Sequence, residues 1–324
     1  MKRFCSVATA MAICLLNSPS YAQSLNSAPA IRPADDSTTV TELAPIEVVL
    51  PGPAMWSVVK GDSRVIIMGF VTPIPEDLDW KPGRIIHALK GAKVLLIPPE
   101  PKVNLGEILG LALNYHAFLL PPDTTLRDVL SAEDYAGVEA MGSIAGSSPF
   151  PVERLKPSAA AAVLLGTQMQ TLHLSTGEPV STVKQLAKRA RVPVREMGSL
   201  KVKTLVQIGK DMTDAQQVAC FRVIMAEARW EAKEGAAAAN SWAQGDMAAL
   251  RKHRFRGADV NCLSDNVDLA ALNEGQISGA ERAIWEALST PGKTVALIDL
   301  ELLDVRNGLL DRLKAAGAEI TVPE

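Results

Sequence analysis

Two short β-branched runs decide the fold: VIIMGFVT at residues 65–72 and TVALIDLE at residues 294–301. Continuous apolar runs of this length predict buried strands, and in folds with buried strands the chemistry lies on the loops that follow them. Neither run ends in a histidine, a cysteine or a serine nucleophile. The sequence therefore indicates where a site would lie more clearly than which reaction it would perform.

Short strands alternate with helices along the rest of the chain. Further strands are predicted at 55–59 (in a hairpin with 64–68), 93–97, 192–197 and 319–322. Helices are predicted at 82–90, 104–119, 157–173, 182–191, 279–289 and 305–316. Capping signals at Ser131 and Thr213 predict two more, and the helix that begins at Thr213 runs toward residue 242. This alternation predicts an α/β fold, with α+β as the alternative, that is helix-rich around a small central sheet. The two chain ends share a strand–loop–helix–strand plan, which suggests two related halves.

The first 22 residues are typical of an export signal. Two basic residues precede a short apolar core at 7–16, and small residues place the cleavage site between Ala22 and Gln23. A membrane anchor is the alternative, but the core is short for a bilayer span and no stop-transfer pattern follows it. We expect a signal peptide at 1–22, a disordered leader at 23–50 and one folded domain at 51–324. The expected location is periplasmic or secreted, in a Gram-negative cell.

Removal of the signal changes the net charge and the number of cysteines in the predicted mature chain. Without the two basic residues of the signal, 31 basic residues stand against 36 acidic ones, a net charge of −5. No basic stripe is present, which argues against nucleic acid as a partner, and no later run of about 18 apolar residues predicts a transmembrane segment. Cys220 and Cys262 remain, and an exported protein favours a disulfide between them over two separately buried thiols.

Acidic residues at predicted strand ends are the best candidates for chemistry. None of the four histidines has the spacing of a metal pair, and no nucleophile elbow, phosphate loop or dinucleotide fingerprint occurs. Glu100, Glu196, Asp299 and Glu301 follow strands and could meet in one cleft, to hold a hard cation or to act as acid and base. The alternative is that they are ordinary loop carboxylates. Arg282 could clamp one of them or form a surface ion pair.

The sequence resembles the TraB/GumN family over residues 51–323. The resemblance is carried by PGPAMWSV at 51–58, LPPDTTL at 120–126, KP at 156–157, SWAQGD at 241–246, ERAIW at 281–285 and NGLL at 307–310. It implies an α/β fold of the erythromycin-esterase and ChaN type. Some animal members of the family are metal-dependent proteases that use two G-x-x-H motifs and a glutamate.

Both histidine positions of those motifs are altered in this chain. Thr72 occupies the first position and Glu301 the second, while Glu100 is displaced by two residues from the glutamate position that the resemblance implies. Glu196 matches another glutamate of the family. A threonine hydroxyl is neutral and a poor donor to a first-row metal. We therefore expect no metal or other cofactor, and loss of the family chemistry.

Three functions remain open. The first is a catalytically degenerate, exported binding or scaffolding protein with an envelope or polysaccharide-related partner. The second is a metal-dependent hydrolase or peptidase with a carboxylate-rich site for Mn, Co or Ca. The third is a structural envelope protein without a ligand.

Overall fold

The computed structural model describes residues 50–100, 115–142, 151–200, 202–253 and 267–323. The signal peptide with its cleavage site at Ala22 and Gln23, nearly all of the leader, and Cys262 lie outside these residues. Within them, no helix is both long enough and apolar enough to cross a bilayer.

A mixed sheet of six strands forms the centre of the fold, in the order β6-β4-β7-β2-β1-β8. The strands of the chain are β1 (Met55–Lys60), β2 (Ser63–Phe70), β3 (Ile74–Pro75), β4 (Leu95–Ile97), β5 (Leu174–Ser175), β6 (Val194–Glu196), β7 (Gly292–Asp299) and β8 (Glu319–Thr321). β3 and β5 form a separate antiparallel pair. β6, β4, β7 and β2 run parallel to one another, and β1 and β8 add an antiparallel edge.

The two runs that open and close the domain pair directly. β2 and β7 are parallel neighbours in register from Ser63 opposite Gly292 to Phe70 opposite Asp299. Ile67 and Ala296, at the middle of this pair, are fully buried, as expected for strands covered on both faces. Because the strands are parallel, both predicted loop positions reach the same edge of the sheet.

Helices surround the sheet and outweigh it. They are α1 (Gly83–Leu89), α2 (Leu126–Val129), α3 (Ala132–Ala140), α4 (Pro157–Thr171), α5 (Glu178–Arg189), α6 (Val202–Asp211), α7 (Asp214–Trp230), α8 (Ala236–Gln244), α9 (Met247–His253), α10 (Val267–Leu288), α11 (Leu300–Leu303) and α12 (Leu309–Ala315), with 3₁₀ turns at Tyr115–Phe118 and Val152–Arg154. The α/β prediction is confirmed. The division of the sheet into two related halves stays a prediction.

Local signals placed several helices correctly. The Ser131 hydroxyl accepts a hydrogen bond from the backbone N–H of Asp134, and Thr213 caps α7 in a capping box with Gln216. Around these helices lies a second apolar cluster, apart from the sheet, that includes the buried residues Leu126, Leu164, Phe221 and Met225. The middle of the chain is thus a helical layer of its own.

Several boundaries differ from the prediction; for example, the helix predicted at 279–289 begins at Val267, and the helix predicted at 182–191 begins at Glu178. The long helix after Thr213 contains a π-helical turn, Glu231–Gly235, between α7 and α8. The last parallel strand ends at Asp299 because the Asp299 carboxylate accepts a hydrogen bond from the N–H of Glu301 and starts α11. The predicted helix at 104–119 falls outside the described residues except for its last turn, which is 3₁₀.

Candidate functional site

A pocket lies where β2 and β7 end. We call it the strand-end pocket; its volume is about 70 Å³, and its walls come from the loop after β2, the π-helical turn, α8, α9 and α11. Thr72 and Glu301 both line it, together with Asp299. The two altered positions identified in the sequence therefore meet in space, although 228 residues separate them in the numbering of the chain.

A tryptophan ties the helical wall to the end of β2. The indole Nε1 of Trp242, on α8, donates a hydrogen bond of 2.8 Å to the buried carbonyl oxygen of Gly69. A side chain at Gly69 would collide with Leu300 and Trp56, so only glycine fits at this crossing. The hydrogen bond from Trp242 to Gly69 holds α8 close against β2.

The residues that follow Trp242 turn the chain into the next wall of the pocket. Gly245 adopts a left-handed φ of 76° and ends α8. The Asp246 carboxylate then accepts a hydrogen bond of 2.8 Å from the N–H of Ala249 and begins α9. α9 in turn brings Met247 and Leu250 to the pocket. The backbone path therefore explains the glycine and the aspartate of the W-x-x-G-D segment at residues 242–246.

Two glutamates of the helical wall line the pocket, Glu231 buried and Glu227 half-buried. Glu231 is only 5 % exposed, and its Oε1 has no hydrogen-bond partner. Burial, and then the neighbouring Glu227, raise the pKa of Glu231 to about 7. Burial, and then Glu301, raise the pKa of Glu227 above its ordinary value. These carboxylates repel one another across a poorly solvated space.

The π-helical turn provides the room for the buried carboxylate. Glu227, Glu231 and Gly235 follow one another at intervals of four residues. A Cβ atom at Gly235 would overlap the Glu231 carboxylate, so glycine leaves the space in which that group lies. Single π turns within helices are frequent at functional sites.

The pocket carries a strong excess of negative charge. Five carboxylates (Glu227, Glu231, Asp299, Glu301 and Asp304) and one guanidinium (Arg251) line it. Arg251 pairs with Asp304 at 3.2 Å, and its side chain is 59 % exposed. Among the described residues that line the pocket, the one positive charge therefore lies toward solvent, and none forms an ion pair with the Glu231 carboxyl.

The family relationship is shown by sequence comparison. The profile of the TraB/PrgY/gumN family matches residues 54–322. The chain belongs to the TraB/PrgY/gumN family. This match confirms the resemblance drawn from the motifs. Neither the curated proteins nor the solved structures yielded a match to the chain.

In this TraB/PrgY/gumN protein the other predicted candidates lie outside the strand-end pocket. Glu100 accepts a hydrogen bond of 2.7 Å from Lys184 of α5. Glu196 ends β6, which is separated from β7 by β4. Arg282 is exposed on α10, beside Trp285. The structure brings together Thr72, Asp299 and Glu301, and places the other three elsewhere.

Sequence reasoning missed the glutamates of α7 and the π-helical turn. A pair of glutamates four residues apart in a helix usually marks a solvated face. The one available signal was the E-x-x-x-E-x-x-x-G spacing of Glu227, Glu231 and Gly235. Only the packing of the helix against the strand ends shows that this face is buried.

The donor set does not fit the metal site of the family. Among the described residues, no group of three or more histidine, cysteine, aspartate or glutamate side chains is arranged to hold a metal ion. The two former histidine positions supply a hydroxyl and a carboxylate. First-row ions such as Mn and Co would lack imidazole ligands here, and Ca would need six to eight oxygen ligands.

Cys220 is 1 % exposed and is disulfide-bonded. Its expected partner, Cys262, lies outside the described residues, so this pairing stays a prediction.

Proposed function

We propose that this TraB/PrgY/gumN protein is an exported, envelope-associated binding protein that has lost the metal chemistry of its family. One observation carries the proposal. Thr72 and Glu301, which occupy the two G-x-x-H histidine positions, line one pocket, and no histidine of the described part of the chain lines it. The pocket is retained as a cavity while its ligands for a transition metal are gone.

The charge of the pocket supports a positively charged ligand group. Carboxylates dominate the lining, and the one guanidinium is engaged with Asp304. A cation entering the pocket would relieve the repulsion between Glu227, Glu231 and Glu301. The presence of this cavity also argues against a purely structural protein, which would need no pocket at the strand ends.

Export is supported by the N-terminal signal pattern, and a disulfide at Cys220 is compatible with it. Disulfides persist mainly in oxidising compartments such as the periplasm. An envelope or polysaccharide-related partner belongs to the same proposal. Expression of the full chain in a Gram-negative host, followed by fractionation and N-terminal mass analysis, tests this part: we expect a periplasmic or secreted product beginning at Gln23. A cytoplasmic product that retains Met1 would refute it.

A hydrolysis assay tests the loss of catalysis. The purified mature protein is incubated with peptide and ester substrates, with and without added Mn²⁺ or Co²⁺, beside Glu231→Gln and Glu196→Gln. We expect the rate of the unmodified protein to equal the blank under every condition. A rate above the blank that either variant abolishes would overturn the proposal.

The alternative is a metal-dependent hydrolase or peptidase with a non-standard carboxylate site. Glu231 favours it, because a carboxyl group whose pKa is raised to about 7 is suited to general acid–base work at neutral pH. Metal analysis of the purified protein separates the two functions. Stoichiometric Mn, Co or Ca supports the hydrolase, whereas a metal-free and inactive protein supports the binding function.

A further inference from the structure

We propose that the strand-end pocket binds a primary alkylammonium group, with the nitrogen at Glu231 and the alkyl chain against the apolar wall. This inference rests on the binding function proposed above and names the chemical class of the ligand.

The buried Glu231 carboxylate has an oxygen atom that lacks a hydrogen-bond donor among the described residues. The Oε1 atom of Glu231 is shielded from solvent and accepts no hydrogen bond from the described residues. A buried acceptor without a partner is unfavourable, and the cost is larger when the group is charged. The three N–H donors of a primary ammonium group can serve more than one carboxylate oxygen at once. To offer Oε1, which is shielded from solvent, the Glu231 carboxylate must turn toward the ligand.

The apolar residues of the pocket suit an alkyl chain. Trp230, Met247, Leu250, Ala238 and Ala239 line the same pocket. The Trp230 indole is held in place, because its Nε1 donates a hydrogen bond of 3.0 Å to the carbonyl oxygen of His253. An aromatic face beside a carboxylate is a frequent setting for organic cations.

The size of the pocket limits the ligand. A cavity of about 70 Å³ holds about five waters, since each needs roughly 10–15 Å³ on this measure. A chain of about five or six heavy atoms that ends in an ammonium group fills that space. The end of a lysine side chain and a free aliphatic amine share this chemistry.

Calorimetry on the mature protein at pH 8 and low salt tests the inference. The probes are n-pentylamine, its neutral analogue 1-pentanol, N-acetyl-lysine methylamide, CaCl₂ and MnCl₂. We expect pentylamine to bind with a stoichiometry of one and at least ten times more tightly than pentanol. Tighter binding of the lysine derivative than of pentylamine would identify a protein side chain as the source of the group, and the reverse would identify a free amine.

Substitutions of the two pocket glutamates test whether pentylamine binds at this site. Glu231→Gln and Glu227→Gln should each weaken pentylamine binding at least tenfold, whereas Glu319→Gln, at an exposed site on β8, should leave it unchanged. As a second readout, pentylamine should shift the indole N–H signal of Trp230 in NMR spectra, assigned with Trp230→Phe. Melting curves verify that each variant is folded.

The outcomes separate this inference from the function on which it rests. Equal binding of pentanol and pentylamine, or unchanged binding in both glutamine variants, refutes the ammonium site. If Ca²⁺ or Mn²⁺ binds through Glu231 and pentylamine does not, the ammonium inference is wrong, while a cation-binding pocket stands. If no probe binds, the inference is wrong, and the hydrolysis assay decides the function independently.

Discussion

Replacing Glu231 with glutamine should change how the free energy of unfolding depends on pH. In the folded protein the pKa of Glu231 lies at about 7, against 4.5 for an unperturbed glutamate. Below pH 4.5 the carboxyl group is protonated in both the folded and the unfolded chain. As the pH rises from 4.5 to 7, the unfolded chain releases this proton and the folded chain retains it, so stability falls.

The magnitude follows from the same two pKa values. Each pKa unit corresponds to about 1.4 kcal/mol, so ionising the buried Glu231 costs the folded state up to about 3 kcal/mol. Glutamine has nearly the same shape and no charge to ionise. The unfolding free energy of Glu231→Gln, relative to the unmodified protein, should therefore increase by up to about 3 kcal/mol between pH 4.5 and pH 8. Other charged groups line the same space and contribute to the profile of both proteins: Glu227, Arg251, Asp299, Glu301 and Asp304.

Urea denaturation followed by tryptophan fluorescence, at intervals from pH 4.5 to pH 8, measures this difference. Glu319→Gln is the matched control, because it removes one glutamate from an exposed strand position. Its difference from the unmodified protein should stay nearly constant over the range. If the difference for Glu231→Gln is equally flat, the Glu231 carboxyl is not desolvated, and the reasoning about the pocket is refuted.

Three further predictions concern the stability of the folded protein. Gly245→Ala should destabilise the protein by about 2 kcal/mol or more, because φ is 76° and the added Cβ would lie 2.7 Å from a backbone carbonyl oxygen. The control is Gly275→Ala, in open space on α10, which should stabilise the protein by about 0.5–1 kcal/mol. Equal effects of the two substitutions in urea titrations would contradict this account. Trp242→Phe should cost at least about 1–3 kcal/mol, since it leaves the buried β2 carbonyl without its donor, and an unchanged urea midpoint would show that the bond is unimportant. Cys262→Ser should expose one titratable thiol at Cys220 after unfolding and lower stability by about 3–4 kcal/mol; absence of that thiol would mean that Cys220 pairs differently.

Much of the fold was predictable because its signals are local. The β-branched runs at 65–72 and 294–301 form adjacent buried strands, since continuous apolar runs need cover on both faces. The caps at Ser131 and Thr213 start helices because each hydroxyl reaches a backbone N–H three residues ahead. These interactions span a few residues, so the pattern alone predicts them.

The candidate site was predictable only in part. Asp299 was expected as a site carboxylate and does line the pocket, but it also caps α11. Glu100 pairs with Lys184, 84 residues away in the chain, and Arg282 is exposed on α10. Position at a strand end indicates the correct edge of the sheet, but it does not indicate which side chains meet there.

Inspection of the residues alone establishes that both G-x-x-H positions lack histidine, because the identity of a ligand is a property of the residue itself. The burial of Glu231, by contrast, is not a property of the residue itself. It arises where a π-helical turn packs against two strand ends, and the desolvation that raises its pKa depends on everything that covers it. The residues at the two motif positions are therefore known from the sequence, whereas the carboxylate pocket around them exists only once the chain has folded.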